Sequence, residues 1–404
     1  MASVWEELGF VRNPFEPLPL TTPEEIENLF VGREKEVREL KGILSSPTSR
    51  TVVEADAGYG KTTFVNRVFY ELSKERKDFL VIPRVIGIES AAAGAEAKYR
   101  VALELISRIE SIGLKSHLKR KFKEIVRERS KLELQLSLFA YAPPLGAQLQ
   151  IGRKTEFPRI PSYLPELLVS RISDLIPELG LSCAVVALNN LDALPDALSG
   201  EVLNELRDFI QTRNLSFVLL AGRGFYRRAE VELPRWRGVL SAGPIELTGF
   251  SKREIEEILD RRVEYYSKSE RAENPFEPSL LSLLIECSGG NLRWLLSILS
   301  YLRAKIPTSV RIVNKRLAET FLKARAESRL QSLTRSEQKV IRAMVRYGKE
   351  VYSADSAFQK LSGLKQAWLF QLLTSLERKG ELSVRWEGLR KMYSLHPDYK
   401  FLAS

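Results

Sequence analysis

The chain has few cysteines and histidines and no long apolar run. Its 404 residues include two Cys and two His, too few for a disulfide framework or a histidine-based metal centre. The longest apolar run, Cys183 to Leu188, is far shorter than the about 20 residues of a bilayer-spanning helix. The opening MASVWEELGF carries acids where a signal peptide is basic. We therefore expect a reduced, cytoplasmic protein with no membrane contact.

Positive charge is in excess and unevenly placed. The chain carries 62 Lys+Arg against 51 Asp+Glu, a net charge of +11. Residues 114–131 hold eight Lys/Arg and two Glu, and residues 334–404 hold thirteen Lys/Arg and seven acids, so the remainder is nearly neutral. A nearly neutral body with two basic segments indicates a polyanionic partner. For the first segment, a solvated helix face is the alternative.

Apolar strands alternate with amphipathic helices through the first 250 or so residues, a pattern typical of an α/β parallel sheet with helices on both faces. The predicted strands are Thr51–Glu54, Phe79–Ile86, Cys183–Leu188 and Ser216–Ala221. After residue 247 the strands stop and a run of helices begins. We predict three domains: an N-terminal arm and P-loop core over 1–248, a helical lid over 249–332, and a winged helix over 333–404.

An insert is predicted within the core, over about residues 114–155. A basic helix, roughly Ser116 to Ser130, is followed by the strict alternation Leu132-Glu-Leu-Gln-Leu-Ser-Leu138. A second alternating stretch, Ala147 to Ile151, follows after a Pro-Pro-Leu-Gly turn and is its predicted partner strand. This period-two pattern predicts an amphipathic β-hairpin with a role in assembly.

A phosphate-binding loop is predicted between the first strand and the following helix. The segment Ala55-Asp-Ala-Gly-Tyr-Gly-Lys-Thr62 has P-loop spacing, with alanine in place of the first glycine. Gly58 and Gly60 let amide N–H groups turn toward phosphates, Lys61 reaches the β- and γ-phosphates, and the Thr62 hydroxyl ligates Mg²⁺. The sequence therefore predicts ATP or ADP with Mg²⁺, bound by Ala55, Gly58, Tyr59, Gly60, Lys61, Thr62 and Thr63.

The third predicted strand ends in amides where a Walker B element has acids. Asn189 and Asn190 follow the apolar run, and Asp192 comes shortly after. Asparagine offers Mg²⁺ an oxygen without charge and cannot act as a base, so ATP hydrolysis is doubtful. We predict Thr62 and Asn189 as metal ligands, with Asp192 as a partial substitute. The alternative is that this strand is not a Walker B element.

The last seventy residues predict a winged helix. A helix from Thr334 to about Arg346, a short helix near Ser356 and a third helix from Leu364 to Lys379 precede a hairpin over 382–395. On duplex DNA the third helix enters the major groove and the wing meets the backbone. The candidate contacts are Lys365, Gln366, Gln371, Thr374, Arg385, Arg390 and Lys391. The alternative is a winged helix that contacts protein only.

Together these motifs resemble AAA+ ATPases of the origin-recognition and STAND group, with archaeal replication initiators as the nearest type. Phe30-Val-Gly-Arg-Glu34, the loop ending at Thr62 and Asn-Asn-Leu-Asp192 carry the resemblance. It implies that Val31 and Arg33 lie near the adenine, and that Arg223 and Arg293, the latter in Gly290-Asn-Leu-Arg293, sense the γ-phosphate. It also implies arginine fingers acting on an adjacent subunit at Arg235 and Arg237. A surface ion pair is the alternative for each arginine.

These inferences predict an ATP-binding protein that holds double-stranded DNA through its winged helix and self-associates according to its nucleotide state. Two alternatives remain open. One is a STAND-type signalling switch in which the winged helix is a clamp without a DNA role. The other is a degenerate scaffold that binds nucleotide constitutively.

Overall fold

The computed structural model describes residues 3–88, 93–141, 163–191, 196–268, 273–387 and 390–402. The chain forms two compact units. We call Arg33–Glu54 with Lys61–Leu247 the sheet unit, and Met1–Gly32 with Ala55–Gly60 and Thr248–Ser404 the lid unit.

The described helices and strands are as follows. The helices are α1 (Val4–Glu7), α2 (Pro23–Leu29), α3 (Glu34–Leu44), α4 (Lys61–Glu75), α5 (Ala93–Ser111), α6 (Ser116–Tyr141), α7 (Tyr163–Glu178), α8 (Asp196–Ile210), α9 (Phe225–Glu232), α10 (Lys252–Tyr266), α11 (Pro278–Ser288), α12 (Leu292–Lys305), α13 (Lys315–Gln331), α14 (Arg335–Tyr347), α15 (Ser356–Ser362) and α16 (Gln366–Arg378). The strands are β1 (Arg50–Glu54), β2 (Phe79–Gly87), β3 (Cys183–Asn189), β4 (Leu215–Ala221), β5 (Ile245–Glu246), β6 (Leu382–Glu387) and β7 (Arg390–Leu395).

The sheet unit is built on a five-stranded parallel sheet in the order β2-β3-β4-β1-β5. The central strands are buried: β4 along its whole length, and β3 up to its last residue. They can be continuously apolar because a parallel sheet is covered on its faces by crossover helices. The predicted α/β fold with a parallel sheet flanked by helices is confirmed.

The predicted β-hairpin in the insert is wrong in its first strand. Residues 132–138 lie inside helix α6, which runs without a break to Tyr141. Leu, Glu, Gln and Lys are strong helix formers, and extending an existing helix fixes one residue per hydrogen bond, whereas a hairpin must be nucleated anew. Period two is therefore a weak guide where the residues favour helix. The predicted second strand, residues 147–151, lies outside the described residues.

The lid unit contains the N-terminal arm and helices α10 to α13 around one apolar cluster. Phe15 of the arm packs edge-on against Phe276, with ring centroids 5.4 Å apart, and both are buried. Arg262 of α10 is buried and donates to the carbonyls of Pro14 and Glu16. Desolvation lowers the pKa of this guanidinium. The arm is held by the hydrogen bonds that this buried cation donates to the two carbonyl groups.

The C-terminal part of the lid unit follows the predicted order of elements. Helices α14, α15 and α16 share a core with β6 and β7, which pair antiparallel from Leu382–Leu395 to Glu387–Arg390. Thr334 caps α14 in a capping box with Glu337. A closing 3-10 helix (Pro397–Leu402) then returns to the lid, where Phe401 joins the same apolar cluster as Phe15.

Within the described part of the chain, no helix is both long enough and apolar enough to cross a membrane.

Candidate nucleotide-binding site

The predicted phosphate loop lies between β1 and α4. Gly58 and Gly60 both adopt positive φ, +89° and +80°, which only glycine enters without strain. Lys61 is the first residue of α4, so the loop leads directly into the positive N-terminal end of that helix. This backbone presents amide donors to an anion.

In the lid unit, the first half of the loop is anchored by the residues around the start of α12. The backbone N–H of Arg293 donates to the Gly58 carbonyl at 3.3 Å, and Asn291 Nδ2 donates to the Ala57 carbonyl at 3.1 Å. The Tyr59 hydroxyl donates to the Gly289 carbonyl at 3.4 Å. The structure thus brings the predicted Gly-Asn-Leu-Arg segment onto the predicted loop, and the Arg293 side chain is exposed.

Glycine is required at positions 58 and 290 because other residues of the lid unit lie very close to both, as well as because of their positive φ angles. A Cβ at Gly58 would lie 2.2 Å from Asn291 Oδ1. A Cβ at Gly290, whose φ is +86°, would lie 2.8 Å from the Cα of Gly249. The sequence gives the turn requirement at Gly58, but only the tertiary contact shows that a lid side chain occupies the space beside it.

In the sheet unit, the predicted metal ligands lie together. Asn189, at the end of β3, places its Nδ2 3.4 Å from Thr62 Oγ1. Asn190 has φ +67°, a left-handed conformation that asparagine tolerates better than most residues. The backbone conformation therefore favours asparagine at position 190, and the same asparagine leaves the site without the acid that a Walker B element has there. Asp192 lies outside the described residues.

These residues fit Mg²⁺ delivered with a nucleotide better than a free ion. The described residues contain no group of three His, Cys, Asp or Glu side chains that could hold a metal ion. Mg²⁺ keeps several waters and commonly binds through few protein ligands plus substrate phosphates. The Thr62 hydroxyl and the Asn189 amide can supply two neutral oxygens to such a shell, while the phosphates supply the charge.

Glu54 is a site residue that the motif analysis missed. It ends β1, is buried, and accepts the backbone N–H of Gly224 at 2.8 Å and also that of Tyr226. Burial raises the pKa of this carboxyl, although the two N–H groups oppose that rise. Glu54 thereby fixes the turn that carries Arg223, whose Nη2 lies 3.4 Å from the Leu247 carbonyl. An acid immediately before the loop was the only available sign of this role.

The other residues implied by the resemblance are placed as follows. In the lid unit Val31 is buried, and in the sheet unit Arg33 is buried with φ +66°. Left-handed non-glycine residues concentrate at functional sites, and Arg33 and Asn190 are two of the four among the described residues. Arg235 and Arg237 are exposed on either side of the buried Trp236, and Arg237 Nε donates to the Glu230 carbonyl at 3.0 Å.

The candidate DNA contacts differ in their exposure. Lys365 and Gln366 are exposed at the start of α16, Gln371 is exposed in its middle, and Arg390 is exposed on the hairpin. Two hairpin cations hold ion pairs within the C-terminal part: Arg385 with Glu350 at 2.5 Å, and Lys391 with Glu377 at 2.6 Å.

Thr374 requires a correction. It is half-buried and its hydroxyl oxygen is fully buried, because this part of α16 turns toward the domain core. Thr374 therefore does not offer its hydroxyl to DNA.

Comparison with known proteins supports the fold. No family model and no curated protein matches the chain. The ORC2 protein of Aeropyrum pernix, solved as ADPNP–ADP complexes, is 15% identical over 97% of this chain and 96% of that chain, with a TM-score of 0.52. The ORC1 protein of Aeropyrum pernix in complex with DNA is 14% identical over 100% and 98%, with a TM-score of 0.48. CDC6P from Pyrobaculum aerophilum is 13% identical over 98% and 96%, with a TM-score of 0.47.

At these identities the likeness shows the fold alone, and the argument for it rests on the ORC2 protein, whose TM-score exceeds 0.5. The resemblance predicted from the motifs is confirmed to that extent.

Proposed function

We propose that the chain is an AAA+ type protein that binds ATP or ADP with Mg²⁺ at the loop from Ala55 to Thr63. The observation that carries the proposal is the loop itself: two glycines at positive φ leading into Lys61 at the start of α4, with the Gly58 carbonyl tied to the Arg293 amide. The ORC2 protein, which has a similar fold, holds ADPNP and ADP. Arg223 and Arg293 are the proposed contacts of the γ-phosphate.

The test of nucleotide binding is Lys61→Ala. Losing the ammonium group should abolish binding of fluorescent ATP, because the loop amides alone leave the β- and γ-phosphate charge poorly balanced. Lys77→Ala is the control, since Lys77 is exposed just beyond the other end of α4. Equal affinities for the two variants would contradict the proposal.

We further propose that ATP turnover is slow. The Thr62 hydroxyl and the Asn189 amide would hold Mg²⁺, which would supply positive charge at the phosphates, but Asn189 contributes no negative charge to that site. Asn189→Asp should raise the hydrolysis rate, whereas Asn189→Ala should leave it as low as in the unchanged protein. Turnover by the unchanged protein of about one per second would be ordinary for an enzyme. That result would mean that another carboxylate supplies the chemistry.

We propose that the C-terminal winged helix binds double-stranded DNA. Residues 334–404 carry thirteen Lys/Arg against seven acids, and Lys365, Gln366 and Gln371 are exposed at the start and in the first half of α16. A phosphate-bound surface loses affinity steeply with salt, with a log–log slope of about −0.9 per phosphate. Lys365→Glu should weaken duplex binding and flatten that slope, while Lys305→Glu, an equal charge change on exposed lid surface, should do neither.

One observation favours the alternative of a protein partner. Trp368 and Phe370 on α16 are 49% and 48% exposed. Exposed aromatic side chains are common in protein interfaces, whereas base reading in the major groove relies mainly on polar side chains. Duplex DNA that neither binds nor quenches the fluorescence of Trp368 would favour this switch-like function.

We propose that nucleotide state controls self-association. Arg235 and Arg237 are exposed on either side of the buried Trp236, which suits side chains that reach an adjacent subunit. Mass measurements in ATP and in ADP test this, with Arg235→Ala expected to abolish any ATP-dependent increase. A mass that is the same in both nucleotides would favour the scaffold instead.

A further inference from the structure

The peptide between Ala57 and Gly58 is held from its carbonyl side. Asn291 Nδ2 donates to the Ala57 carbonyl oxygen at 3.1 Å, and the described peptides are all trans. In a trans peptide the C=O and the following N–H point in opposite directions. Fixing the Ala57 carbonyl therefore turns the Gly58 N–H away from Asn291. That N–H belongs to the predicted phosphate cradle.

Asn291 uses both ends of its amide. Its Oδ1 accepts the Trp294 N–H at 3.0 Å and so caps α12, the helix that carries Arg293. Capping alone does not require asparagine, because Ser and Asp cap helices as well. The Nδ2 donor is what the contact with Ala57 needs. The bare Gly58 leaves room for it, since a Cβ there would lie 2.2 Å from Asn291 Oδ1.

We propose that Asn291 is a positioning residue that presets the phosphate loop for its ligand. The inference rests on the proposed nucleotide binding. A peptide already held in place does not have to be ordered when a phosphate arrives, so less binding free energy is lost on association. This gain in binding free energy concerns only the phosphates of the ligand. It should therefore be shared by ATP and ADP and be absent for adenosine.

The test compares Asn291→Ser with Asn314→Ser in the 404-residue chain. Serine can cap either helix but is too short to reach the Ala57 carbonyl. Asn314 caps α13 in the same way, accepting the Leu317 N–H at 2.9 Å, and its side chain has no other hydrogen bond within the described residues. We expect Asn291→Ser to raise the Kd for ATP and ADP about five- to tenfold, the effect of one net hydrogen bond. Adenosine affinity should not change, and Asn314→Ser should change none of the three.

Asn291→Asp is the second variant. It keeps the cap and the size but replaces the donor with an acceptor facing the Ala57 carbonyl. We expect a Kd increase for ATP and ADP at least as large as that of Asn291→Ser. Affinities equal to those of the unchanged protein in both variants, or an equal loss for adenosine, would overturn the positioning role.

A measurement without nucleotide separates this inference from the proposed function. Amide hydrogen exchange over residues 55–60 should be faster in Asn291→Ser than in Asn314→Ser. If the unchanged protein binds no ATP, the proposed function fails, and the exchange comparison still decides whether Asn291 holds the loop. Equal exchange in the two variants would contradict that role.

Discussion

At the scale of single residues, the two asparagines at the end of β3 meet different requirements, one set by the site and one set by the backbone. Asn189 faces Thr62, whereas Asn190 occupies a left-handed backbone position at φ +67°. A glutamate at 190 would supply a catalytic base, but it would also have to enter a conformation that costs most residues about 1 kcal/mol or more. The amide at 190 therefore does not by itself show that activity was lost.

This backbone requirement is testable. We expect Asn190→Ala to lower the free energy of unfolding by about 1 kcal/mol, because alanine enters the left-handed region at a cost. Asn190→Gly should cost less or nothing at that position, since glycine enters the region freely. Chemical denaturation of the two variants checks the order. A glycine variant less stable than the alanine variant would argue against the backbone explanation.

His396 should make stability depend on pH. Its Nδ1 accepts the Asp398 N–H at 3.2 Å, and burial lowers its pKa from 6.5 to about 4. Between these values the unfolded chain binds a proton that the folded chain does not, so stability should fall as pH falls through this window. Replacing His396 with Asn should flatten the dependence between pH 6.5 and 4, as measured by denaturation at several pH values.

Glu337 should act in a lower window. Burial would raise the pKa of this carboxyl, but the hydrogen bonds that it accepts from Lys379, Thr334 and Ser375 outweigh burial and hold the pKa at about 2. A lowered carboxyl pKa gives stability that is fully present above the ordinary value of 4.5 and is lost as pH falls toward 2. Glu337→Gln should remove that loss, and a pH profile unchanged from that of the natural chain would contradict the assignment.

At the scale of elements, the closing 3-10 helix ties α12 and α13 together through Asp398. This carboxylate is 2% exposed and accepts Trp294 Nε1 at 2.8 Å, Arg325 Nε at 3.1 Å and Arg329 Nη1 at 3.3 Å. The helix that carries Arg293 is thus bonded through its next residue to the C-terminal end of the described chain.

We expect Asp398→Ala to destabilise the protein by about 3–5 kcal/mol, because it removes a buried carboxylate that accepts from Trp294 and pairs with Arg325 and Arg329, although Arg329 keeps its ion pair with Glu381. Asp355→Ala, which removes the cap of α15, should cost about 1 kcal/mol. Thermal or chemical unfolding of both variants gives the comparison. Similar losses would show that the buried network adds nothing beyond an ordinary cap.

Helix α6 gives the first basic segment a defined surface. Leu118, Phe122 and Ile125 are buried, while three cations spaced four residues apart, Lys119, Lys123 and Arg127, are exposed on another face. Because a helix repeats every 3.6 residues, the buried apolar side chains and the exposed cations lie on separate faces. In a strand, which repeats every two residues, the two groups would have been mixed. The number of charged residues in the segment does not by itself show that the cations share one face of a helix.

If the proposed DNA binding includes α6, reversing charge there should matter. We expect Lys119→Glu with Lys123→Glu to weaken duplex binding and reduce the salt slope by about two phosphate equivalents. Lys35→Glu with Arg38→Glu is the matched control, because both side chains are exposed at the start of α3 in the same unit. Equal effects would indicate that only net charge counts.

At the scale of the whole molecule, the two compact units limit which truncations are informative. Phe401 and Asp398 pack against the lid, so removing residues from Thr334 onward would expose part of the lid core. Such a deletion cannot be expected to leave nucleotide binding untouched. The DNA proposal is therefore better tested by surface substitutions in the full chain.

Nucleotide should stabilise the whole chain by mass action. A ligand that binds only the folded state adds about 2.7 kcal/mol at a hundredfold excess over its Kd. We expect ATP to raise the Tm of the natural chain and to leave that of Lys61→Ala unchanged. An equal rise in both would place the ligand away from the phosphate loop.

The sequence by itself determined the parts that depend on local patterns. Continuous apolar runs predict buried parallel strands, and capping residues such as Thr334 and Ser251 mark helix starts. Glycine spacing before Lys61 predicts the phosphate loop. These features follow from short-range backbone chemistry, which neighbouring residues largely fix.

Only the tertiary structure decided the rest. The hydroxyl of Thr374 was buried by packing. The hairpin strand predicted over 132–138 failed for a local reason instead, because helix propensity and the extension of an existing helix outweighed the period-two pattern. Glu54 and Asn291 reach partners about 170 and 230 residues away in the chain, and such contacts leave no local pattern. The fold was thus predictable from periodicity, whereas the residues that hold its site in place were visible only once distant segments met.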